Sequence, residues 1–387
     1  MIPRLIQPAL IERSKSYPVV TVLGPRQAGK TTLVRMAFPD FGYVNLENPA
    51  IRNFALSDPE GFLRSNPRPL ILDEIQRSPE LLSWIQVETD ERGENGQFIL
   101  TGSNQPDLSH AISQSLAGRT SIMQLLPLSI EELSANGTLP DRDTCLVKGF
   151  LPRVHQENQP VPQAYMDYLA TYVERDLRRL INIKDLSRFE TFLRLLAGRV
   201  GQLLNLSSLA EDTGVSSTTL GHWLSVLEAS FIVFRLQPYY ANLGKRLVKS
   251  PKLYFYEPGL VAALLQIESA EQAARDPLLG GIFENMIVVE LVKALWNRGR
   301  RDPMSFYRDS NGTEVDIILE RQRVPMAVEI KASQTFSPDF ARNLLRFTEL
   351  VPEAQGAQVI YGGDKSFTGM RYSVWGFGEA CKAIGPA

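Results

Sequence analysis

The chain has 387 residues, which is enough for two or three domains with full hydrophobic cores. Its formal net charge is −2, so a face that binds nucleic acid must be local. Cys145 and Cys381 lie far apart, which argues against a disulfide framework or zinc motif and fits a reducing compartment. Because no apolar run approaches membrane-span length and no signal peptide is evident, we expect a soluble, cytoplasmic protein without a membrane partner.

A glycine-rich motif follows the first predicted strand. Pro18–Leu23 is an apolar, β-branched run, Gly24–Thr31 fits the pattern G-x-x-x-x-G-K-[ST], and Thr32–Ala37 has helical character. Such a loop wraps its backbone N–H groups around phosphates, with the helix dipole behind them. Lys30 would reach the β- and γ-phosphate oxygens and Thr31 would hold Mg²⁺, so we predict ATP and Mg²⁺ as ligands. The alternative is a glycine-rich turn that carries a lysine by chance.

A second apolar run, Pro69–Leu72, ends in two carboxylates, Asp73 and Glu74. A buried parallel strand reads as continuous hydrophobic residues, and its carboxyl end opens beside the phosphate loop. Asp73 is therefore placed to bind Mg²⁺, and Glu74 to orient or deprotonate the attacking water. The alternative is a pair of solvated acids at the start of a helix.

Two later positions are candidates for sensing the γ-phosphate. The buried run Phe98–Thr101 is followed by Ser103 and Asn104, which either bond to the nucleotide or cap the next helix. Arg119 precedes a fifth strand and is a candidate γ-phosphate sensor or a finger acting in trans; an arginine paired to a carboxylate is the alternative. The predicted nucleotide-binding residues are Gly24, Pro25, Arg26, Gln27, Ala28, Gly29, Lys30, Thr31, Thr32, Ser103 and Asn104.

Five predicted strands that alternate with helices indicate an α/β fold with a doubly wound parallel sheet. The phosphate-loop run, Leu72–Gln76, Leu100–Ser103 and Leu116–Arg119 together resemble the bacterial and archaeal AAA-type ATPases that carry a C-terminal domain of unknown function. The resemblance implies a Walker A motif at 24–31, a Walker B motif at 73–74, and a first sensor at 103–104. It also favours Arg119 as a finger, and it implies a homo-oligomer in which a neighbour's arginine completes the site.

The middle of the chain predicts a helix-turn-helix. Two short apolar segments are split by Gly214, Ser216 is placed to cap the second helix, and Phe231–Leu236 would form a wing strand. The second helix offers Ser, Thr and His but no Arg or Lys, which favours a winged-helix-like scaffold over a reader of duplex DNA. A downstream basic tract supplies either phosphate contacts or a solvated loop, and consists of Lys245, Arg246, Lys249 and Lys252. We expect domains at 1–145, 146–250 and 251–387.

Charged residues on neighbouring elements mark the C-terminal domain. Glu284 lies on a predicted helix, Asp316 on a strand, and Glu329 and Lys331 two apart on the next strand, where they face the same side. Such a cluster can bind a hard cation and activate water. The residues around these positions resemble the restriction-endonuclease-like fold, which implies metal binding by Asp316 and Glu329, support from Glu284, and water orientation by Lys331. A hairpin with solvent-facing charges and a catalytically idle version of the fold remain alternatives.

Two functions follow from these patterns. The first is an ATPase that couples hydrolysis to binding or processing of DNA or RNA through the C-terminal domain. The second is an ATP-gated binding module for a protein or nucleic acid partner, with an inactive nuclease-like domain. Metal-dependent strand cleavage separates the two.

Overall fold

The computed structural model describes residues 2–103, 106–157, 159–171, 186–239, 249–310 and 312–385. Asn104, Lys245 and Arg246, all noted in the sequence, lie outside the described residues. Among the helices described, none combines the length and apolar character that crossing a bilayer demands.

The amino-terminal region is built on a five-stranded sheet with the strand order β2-β3-β4-β1-β5. All of its strand pairs are parallel. The strands are β1 (Val19–Gly24), β2 (Gly42–Asn45), β3 (Leu70–Asp73), β4 (Phe98–Ser103) and β5 (Thr120–Gln124). The helices are α1 (Gln7–Ser16), α2 (Lys30–Ala37), α3 (Pro49–Ser57), α4 (Pro59–Ser65), α5 (Leu81–Arg92) and α6 (Pro106–Ser115), with a 3₁₀ helix at Ile75–Arg77.

Successive residues of a strand point to opposite faces of the sheet, and here both sets are apolar. Helices therefore cover both faces. Val20 and Val22 of β1 belong to the core beneath α1 and α2. Val19 and Leu23 belong to the opposite core, beneath α5 and α6. The doubly wound parallel sheet predicted from the sequence is therefore confirmed.

Helices follow the first sheet before the second sheet begins. They are α7 (Ile130–Ala135), α8 (Arg142–Lys148), α9 (Pro152–Gln156), α10 (Val161–Tyr168), α11 (Leu186–Ala197), α12 (Leu206–Thr213) and α13 (Ser217–Ala229). The turn between α12 and α13 contains Gly214 at φ +65°, where glycine avoids the Cβ strain of the left-handed region. As predicted, the Ser216 hydroxyl caps α13 by accepting a hydrogen bond from the N–H of Thr219 at 3.2 Å.

The second sheet has eight strands in the order β12-β13-β11-β10-β9-β8-β6-β7. They are β6 (Val233–Pro238), β7 (Lys252–Phe255), β8 (Met304–Arg308), β9 (Glu314–Arg321), β10 (Val324–Lys331), β11 (Ala357–Tyr361), β12 (Phe367–Thr368) and β13 (Ser373–Gly376). The accompanying helices are α14 (Pro258–Leu264), α15 (Ala270–Arg275), α16 (Leu279–Asn297) and α17 (Arg342–Leu350), with 3₁₀ helices at Pro338–Ala341 and Phe377–Ile384.

The strand predicted as a wing joins this second sheet. It runs as β6, two residues later than the predicted range, and pairs antiparallel with β7. It also pairs in parallel with β8, where Gln237 faces Ser305. One buried core contains residues from Leu128 to Ile384 together with Ile2, so the helix-turn-helix and one face of the C-terminal sheet are packed together.

Candidate functional site

The phosphate loop connects β1 to α2 at the carboxyl edge of the first sheet. A Cβ on Gly24 would lie 2.1 Å from the carbonyl oxygen of Leu125, so only glycine fits there. Gly29 has φ +89° and precedes the first residue of α2, where an L side chain would be strained. Both invariable positions of the motif thus have a steric reason in this chain, and they leave backbone N–H groups at the amino end of a helix.

The remaining residues of the loop differ in exposure. Gln27 and Thr32 are exposed, Arg26 and Thr31 are half-buried, and Pro25 and Ala28 are buried. The loop therefore presents its surface to solvent at its tip and is anchored to the protein at its base.

Lys30 points back into the loop. Its ammonium group donates to the carbonyl oxygens of Gly24 at 3.1 Å and Pro25 at 2.8 Å. Burial lowers the pKa of Lys30 to about 8, against the charges of Glu74 and Asp73, which raise it. A cation held only by neutral carbonyl oxygens in a buried loop can exchange those bonds for phosphate oxygens.

Asp73 accepts hydrogen bonds from three hydroxyl groups. Thr31 donates to its two carboxylate oxygens at 3.1 and 2.9 Å, Tyr43 donates at 2.7 Å, and Thr101 also donates. Burial and the bond to Asp73 raise the pKa of the Tyr43 phenol, so Tyr43 remains a donor. The Thr31–Asp73 pair fits Mg²⁺, because this ion uses one or two protein oxygens together with substrate phosphates and water.

Glu74 occupies a strained backbone position just beyond β3. Its φ is +62° and ψ is +47°, in the left-handed region that non-glycine residues seldom adopt. Its carboxylate accepts a hydrogen bond from the amide of Gln76, and its N–H donates to the Thr101 hydroxyl at 3.3 Å. Glu74 thus lies at the same edge of the sheet as Asp73, and the hydrogen bond from Gln76 orients its carboxylate.

Ser103 ends β4 directly beside the phosphate loop. It pairs in register with Gly24, and its hydroxyl oxygen is buried without a hydrogen-bond partner among the described residues. A buried hydroxyl at this place is suited to a ligand oxygen. Its predicted companion Asn104 lies outside the described residues.

Arg119 lies at the opposite edge of the sheet, which corrects its prediction as a γ-phosphate sensor within the same chain. Its carbonyl oxygen accepts from the N–H of Val19, the first residue of β1, whereas the phosphate loop follows the last residue. At about 3.3 Å per residue the two edges are roughly 16 Å apart. Its guanidinium forms a two-bond ion pair with Asp90 at 2.5 and 2.8 Å.

The four predicted residues of the C-terminal domain do come together. Lys331 donates to Glu329 at 2.6 Å, and Asp316 accepts from the backbone N–H of Ile330 at 2.8 Å. Burial, and then the charge of Asp316, raise the pKa values of both Glu284 and Glu329. The cluster is therefore a crowded, buried set of acids at the meeting of α16, β9 and β10.

A lysine that the sequence analysis did not place in this cluster lies among the acids. The Lys252 ammonium is 3.0 Å from Glu284, 2.7 Å from Glu314 and 3.8 Å from Asp316, and its side chain is 3% exposed. Among the described residues there is no group of three or more His, Cys, Asp or Glu side chains arranged to hold a metal ion. Lys252 thus places a positive charge beside Glu284 and Asp316, two of the three predicted metal ligands, while the third, Glu329, pairs with Lys331.

Several residues at the two sites were missed from the sequence. Thr101 carried a weak signal, since it is two residues before Ser103 and so faces the same side of β4. Tyr43 and Gln76 contact the acidic pair from a different strand and a turn. Arg4 contacts the phosphate loop from the start of the chain, and no local motif marks it.

The parallel sheet, the glycine loop between β1 and α2, and the Thr31–Asp73 pair define a P-loop nucleoside triphosphatase fold. Residues 16–134 match the family model described as an AAA domain, which indicates ATP binding. Residues 139–271 match a domain of unknown function (DUF8612), and residues 279–377 match a second one (DUF4143).

Relatives extend this similarity over nearly the whole chain. The uncharacterized proteins Mb2031c of Mycobacterium bovis and Rv2008c of Mycobacterium tuberculosis are each 30% identical over 355 residues, covering 90% of this chain and 78% of the relative. An uncharacterized protein of Haemophilus influenzae is 25% identical over 214 residues, an alignment that covers 51% of this chain and 52% of the relative. The chain belongs to the family of the two mycobacterial proteins. A solved structure, the Walker-type ATPase PABY2304 of Pyrococcus abyssi, aligns at 17% identity and a TM-score of 0.44, covering 67% of this chain and 94% of the other.

Proposed function

We propose that the protein is a Mg²⁺-dependent ATPase. The observation that supports this most directly is the hydrogen bond between Thr31 and Asp73, which joins the end of the phosphate loop to the end of a neighbouring strand. Bound Mg²⁺ would neutralise charge on the β- and γ-phosphates. Thr31 and Asp73 are the residues that would hold it.

The other residues take roles that follow from their surroundings. Lys30 would leave the carbonyl oxygens of Gly24 and Pro25 and bind the β- and γ-phosphate oxygens. Glu74, aimed by Gln76, would orient the attacking water and accept its proton. Ser103 would bond to a γ-phosphate oxygen, and its buried hydroxyl, which has no hydrogen-bond partner in the part of the chain that the structure describes, supports that assignment.

The experiment measures ATP binding and phosphate release in parallel on the full chain. Lys30→Ala should abolish tight binding. Glu74→Gln should bind Mg²⁺–ATP with nearly unchanged affinity but turn it over about 10²–10⁴ times more slowly, the usual contribution of a general base. Unchanged turnover in Glu74→Gln would show that another group activates water. If calorimetry detected no binding of ATP or GTP to the native chain, the proposal itself would be refuted.

We infer a second candidate function, nucleotide-controlled binding of DNA or RNA by the C-terminal region. Its supporting observation is that the hairpin after the helix-turn-helix lies in the same sheet as Asp316 and Glu329. We do not extend this candidate to strand cleavage by Mg²⁺, because Lys252 stands among the acids that would have to bind the ion.

Fluorescence anisotropy with labelled DNA and RNA, with and without ATP and at two salt concentrations, tests the second candidate. Binding should weaken with salt, as contacts to phosphate do, and should change with nucleotide. Absence of binding to either nucleic acid at low salt would refute this candidate and leave the ATPase proposal intact.

A further inference from the structure

The acidic cluster of the C-terminal domain is organised around the ammonium group of Lys252. Lys252 is the first residue of β7, and its acidic partners come from α16 and β9. Glu284 and Glu314 lie at 3.0 and 2.7 Å from it, both within hydrogen-bond distance. One buried lysine thus connects a strand that follows the helix-turn-helix to a helix and a strand of the C-terminal domain.

The carboxylates also have other partners that hold them in place. The Tyr254 hydroxyl donates to Glu284 at 2.6 Å, on the same oxygen that Lys252 contacts. The N–H of Ile330 donates to Asp316 at 2.8 Å. The charges of Glu284, Asp316 and Glu314 outweigh the burial of Lys252 and raise its pKa, which keeps the lysine protonated.

A hard divalent cation needs carboxylate oxygens at about 2.0–2.6 Å, free to point at it. Here oxygens of Glu284 and Glu314 lie 3.0 and 2.7 Å from an ammonium group, and a second cation beside it would be repelled across a poorly solvated space. The positive charge that such a cluster requires is already part of the polypeptide.

We propose that Lys252 is the resident cation of this cluster and takes the place of a divalent metal. Glu284, Glu314 and Asp316 then serve as a charge network that joins β7 to α16 and β9. The cluster is not a centre for metal-assisted hydrolysis. This inference goes beyond the proposed functions and depends neither on ATP hydrolysis nor on binding of nucleic acid.

The test measures Mn²⁺ binding to nucleotide-free full chain by electron paramagnetic resonance. All proteins carry Asp73→Asn, which silences the phosphate-loop site. With Lys252 present, no Mn²⁺ should bind at the cluster up to roughly millimolar concentration, where typical carboxylate sites are already filled. Lys252→Met should gain one Mn²⁺ site that is lost again when Asp316→Asn is added, whereas Lys331→Met, the matched control, should gain none.

Circular dichroism reports whether each variant folds. If Lys252→Met does not fold, the measurement on the chain that retains Lys252 still decides the question. Mn²⁺ bound to that chain, and released by Asp316→Asn, would overturn the proposal, as would a folded Lys252→Met variant that gains no site.

A different observation carries a second inference, about Arg4. Its guanidinium donates to the carbonyl oxygen of Ala28 in the phosphate loop at 2.7 Å and to that of Leu126, just after β5, at 2.7 Å. Its Nε donates to Glu132 at 3.0 Å, and only 8% of its side chain is exposed. The start of the chain therefore reaches directly into the base of the nucleotide site.

The bond to Ala28 has a stereochemical consequence for the loop. In a trans peptide the C=O and the following N–H point in opposite directions. Because Arg4 binds the Ala28 carbonyl oxygen, the N–H of Gly29 is turned to the side of the peptide opposite to Arg4, where it can serve as a donor to a phosphate. The charged donor thereby fixes the orientation of one of the loop's own donors.

Residues 126–132, which lead from the end of β5 into α7 and which Arg4 contacts, are also bound by the C-terminal domain. Glu290 of α16 accepts from the N–H of Ile130 at 2.6 Å, and Lys293 donates to the carbonyl oxygen of Leu128 at 2.8 Å. Residues 126–132 are thus fixed between Arg4 on one side and α16 on the other.

We infer that Arg4 is a positioning residue for ATP binding, an inference that rests on the proposed function. It acts through the peptide between Ala28 and Gly29 and has no contact with the phosphates themselves. Loss of its bond should weaken ground-state binding more than it slows the chemical step.

The test compares the KM and kcat for ATP in native protein, Arg4→Gln and Arg4→Lys. Arg4→Gln carries Glu132→Gln as well, so that no buried carboxylate is left unpaired, and Glu132→Gln alone is its reference. The KM should rise about 10- to 100-fold, the usual effect of losing a charged hydrogen bond, while kcat changes less than threefold. Arg4→Lys should restore part of the affinity, because lysine keeps the charge but makes fewer of the bonds.

Arg13→Gln is the matched control. Arg13 lies on the neighbouring helix α1 and donates to the Ser121 hydroxyl at 3.0 Å, and within the described residues it makes no hydrogen bond to the loop. Its substitution should leave the KM unchanged. If native protein turns over ATP and Arg4→Gln has the same KM, the inference about Arg4 fails; if native protein neither binds nor hydrolyses ATP, the proposed function itself fails.

Discussion

Each of the two sheets carries a site in which a buried lysine lies near acidic residues, yet the two lysines are held in opposite ways. In the first sheet the partners of Lys30 among the described residues are the carbonyl oxygens of Gly24 and Pro25, and the nearby acid Asp73 accepts hydrogen bonds from hydroxyl groups. In the second sheet Lys252 is bound directly by carboxylates. A lysine on neutral oxygens is available to an anionic ligand, whereas a lysine neutralised by acids is part of the framework.

The largest expected difference is in stability. Lys252→Met should lower the free energy of unfolding by about 3–5 kcal/mol, because it leaves buried carboxylates without their cation. Lys30→Met should not lower it, since burial already disfavours the charge of Lys30. Urea denaturation at neutral pH measures both, and each is the other's volume-matched control. Equal losses in the two variants would remove the distinction between the sites.

A smaller effect is expected from the pH dependence of stability. Burial, and then the charge of Asp316, raise the pKa of Glu329 in the folded protein to about 8 from the ordinary value of 4.5. Its contribution is therefore fully present below about pH 4.5 and is lost as the pH rises through 8. Glu329→Gln stays neutral, so it should lose less stability than native protein between pH 5 and 8, by an amount on the order of 2 kcal/mol. Denaturation midpoints at the two pH values check this, and parallel profiles would contradict it.

The first site should respond to pH in its affinity for ATP. Because the pKa of Lys30 is lowered to about 8, the free protein loses this charge as the pH rises above 8. Bound phosphates would restore the proton, so ATP affinity should fall about tenfold between pH 7 and pH 9. Lys30→Arg, which stays charged, should show a flat profile over that range. Equilibrium titration with a fluorescent ATP analogue provides the measurement.

The smallest effect is expected at Arg119, which lies at the edge of the first sheet opposite to Lys30. Its pairing with Asp90 accounts for its position, and exposed pairs contribute little. Arg119→Ala should change ATP turnover by less than about twofold, a value typical of surface positions away from the chemistry. If Arg119→Ala lowered ATP turnover about 10³-fold or more, and if the particle mass of the native protein in solution increased on ATP binding, Arg119 would instead be a finger supplied by a neighbouring copy in a homo-oligomer.

The arrangement of the first site was predictable because its residues belong to short, contiguous sequence motifs. A strand, a glycine loop and a helix follow each other within residues 18–37, and the strand that ends in Asp73 and Glu74 is itself a short local signal. The position of Arg119 was missed, although it precedes the fifth strand and a residue there lies at the amino edge of a parallel sheet.

The contacts that were missed join residues distant in sequence. Arg4 meets Ala28 across 24 positions, and Lys252 meets Glu284 across 32. Neither residue belongs to a motif, and Lys252 was grouped with a basic tract because charge alone does not say which side of a strand faces the core. Only the arrangement of β7 against α16 and β9 brings that lysine among the acids.

The pairing of β6 with β8 has a practical consequence for dissecting the protein. A fragment that starts at the last family boundary, near residue 279, would lack β6 and β7 and would expose the backbone edge of β8. Unpaired edges recruit other chains, so such a fragment should aggregate. A fragment beginning at Leu128 would retain the helix-turn-helix, its hairpin and the buried core that continues to Ile384, and is the piece from which a soluble C-terminal half is to be sought.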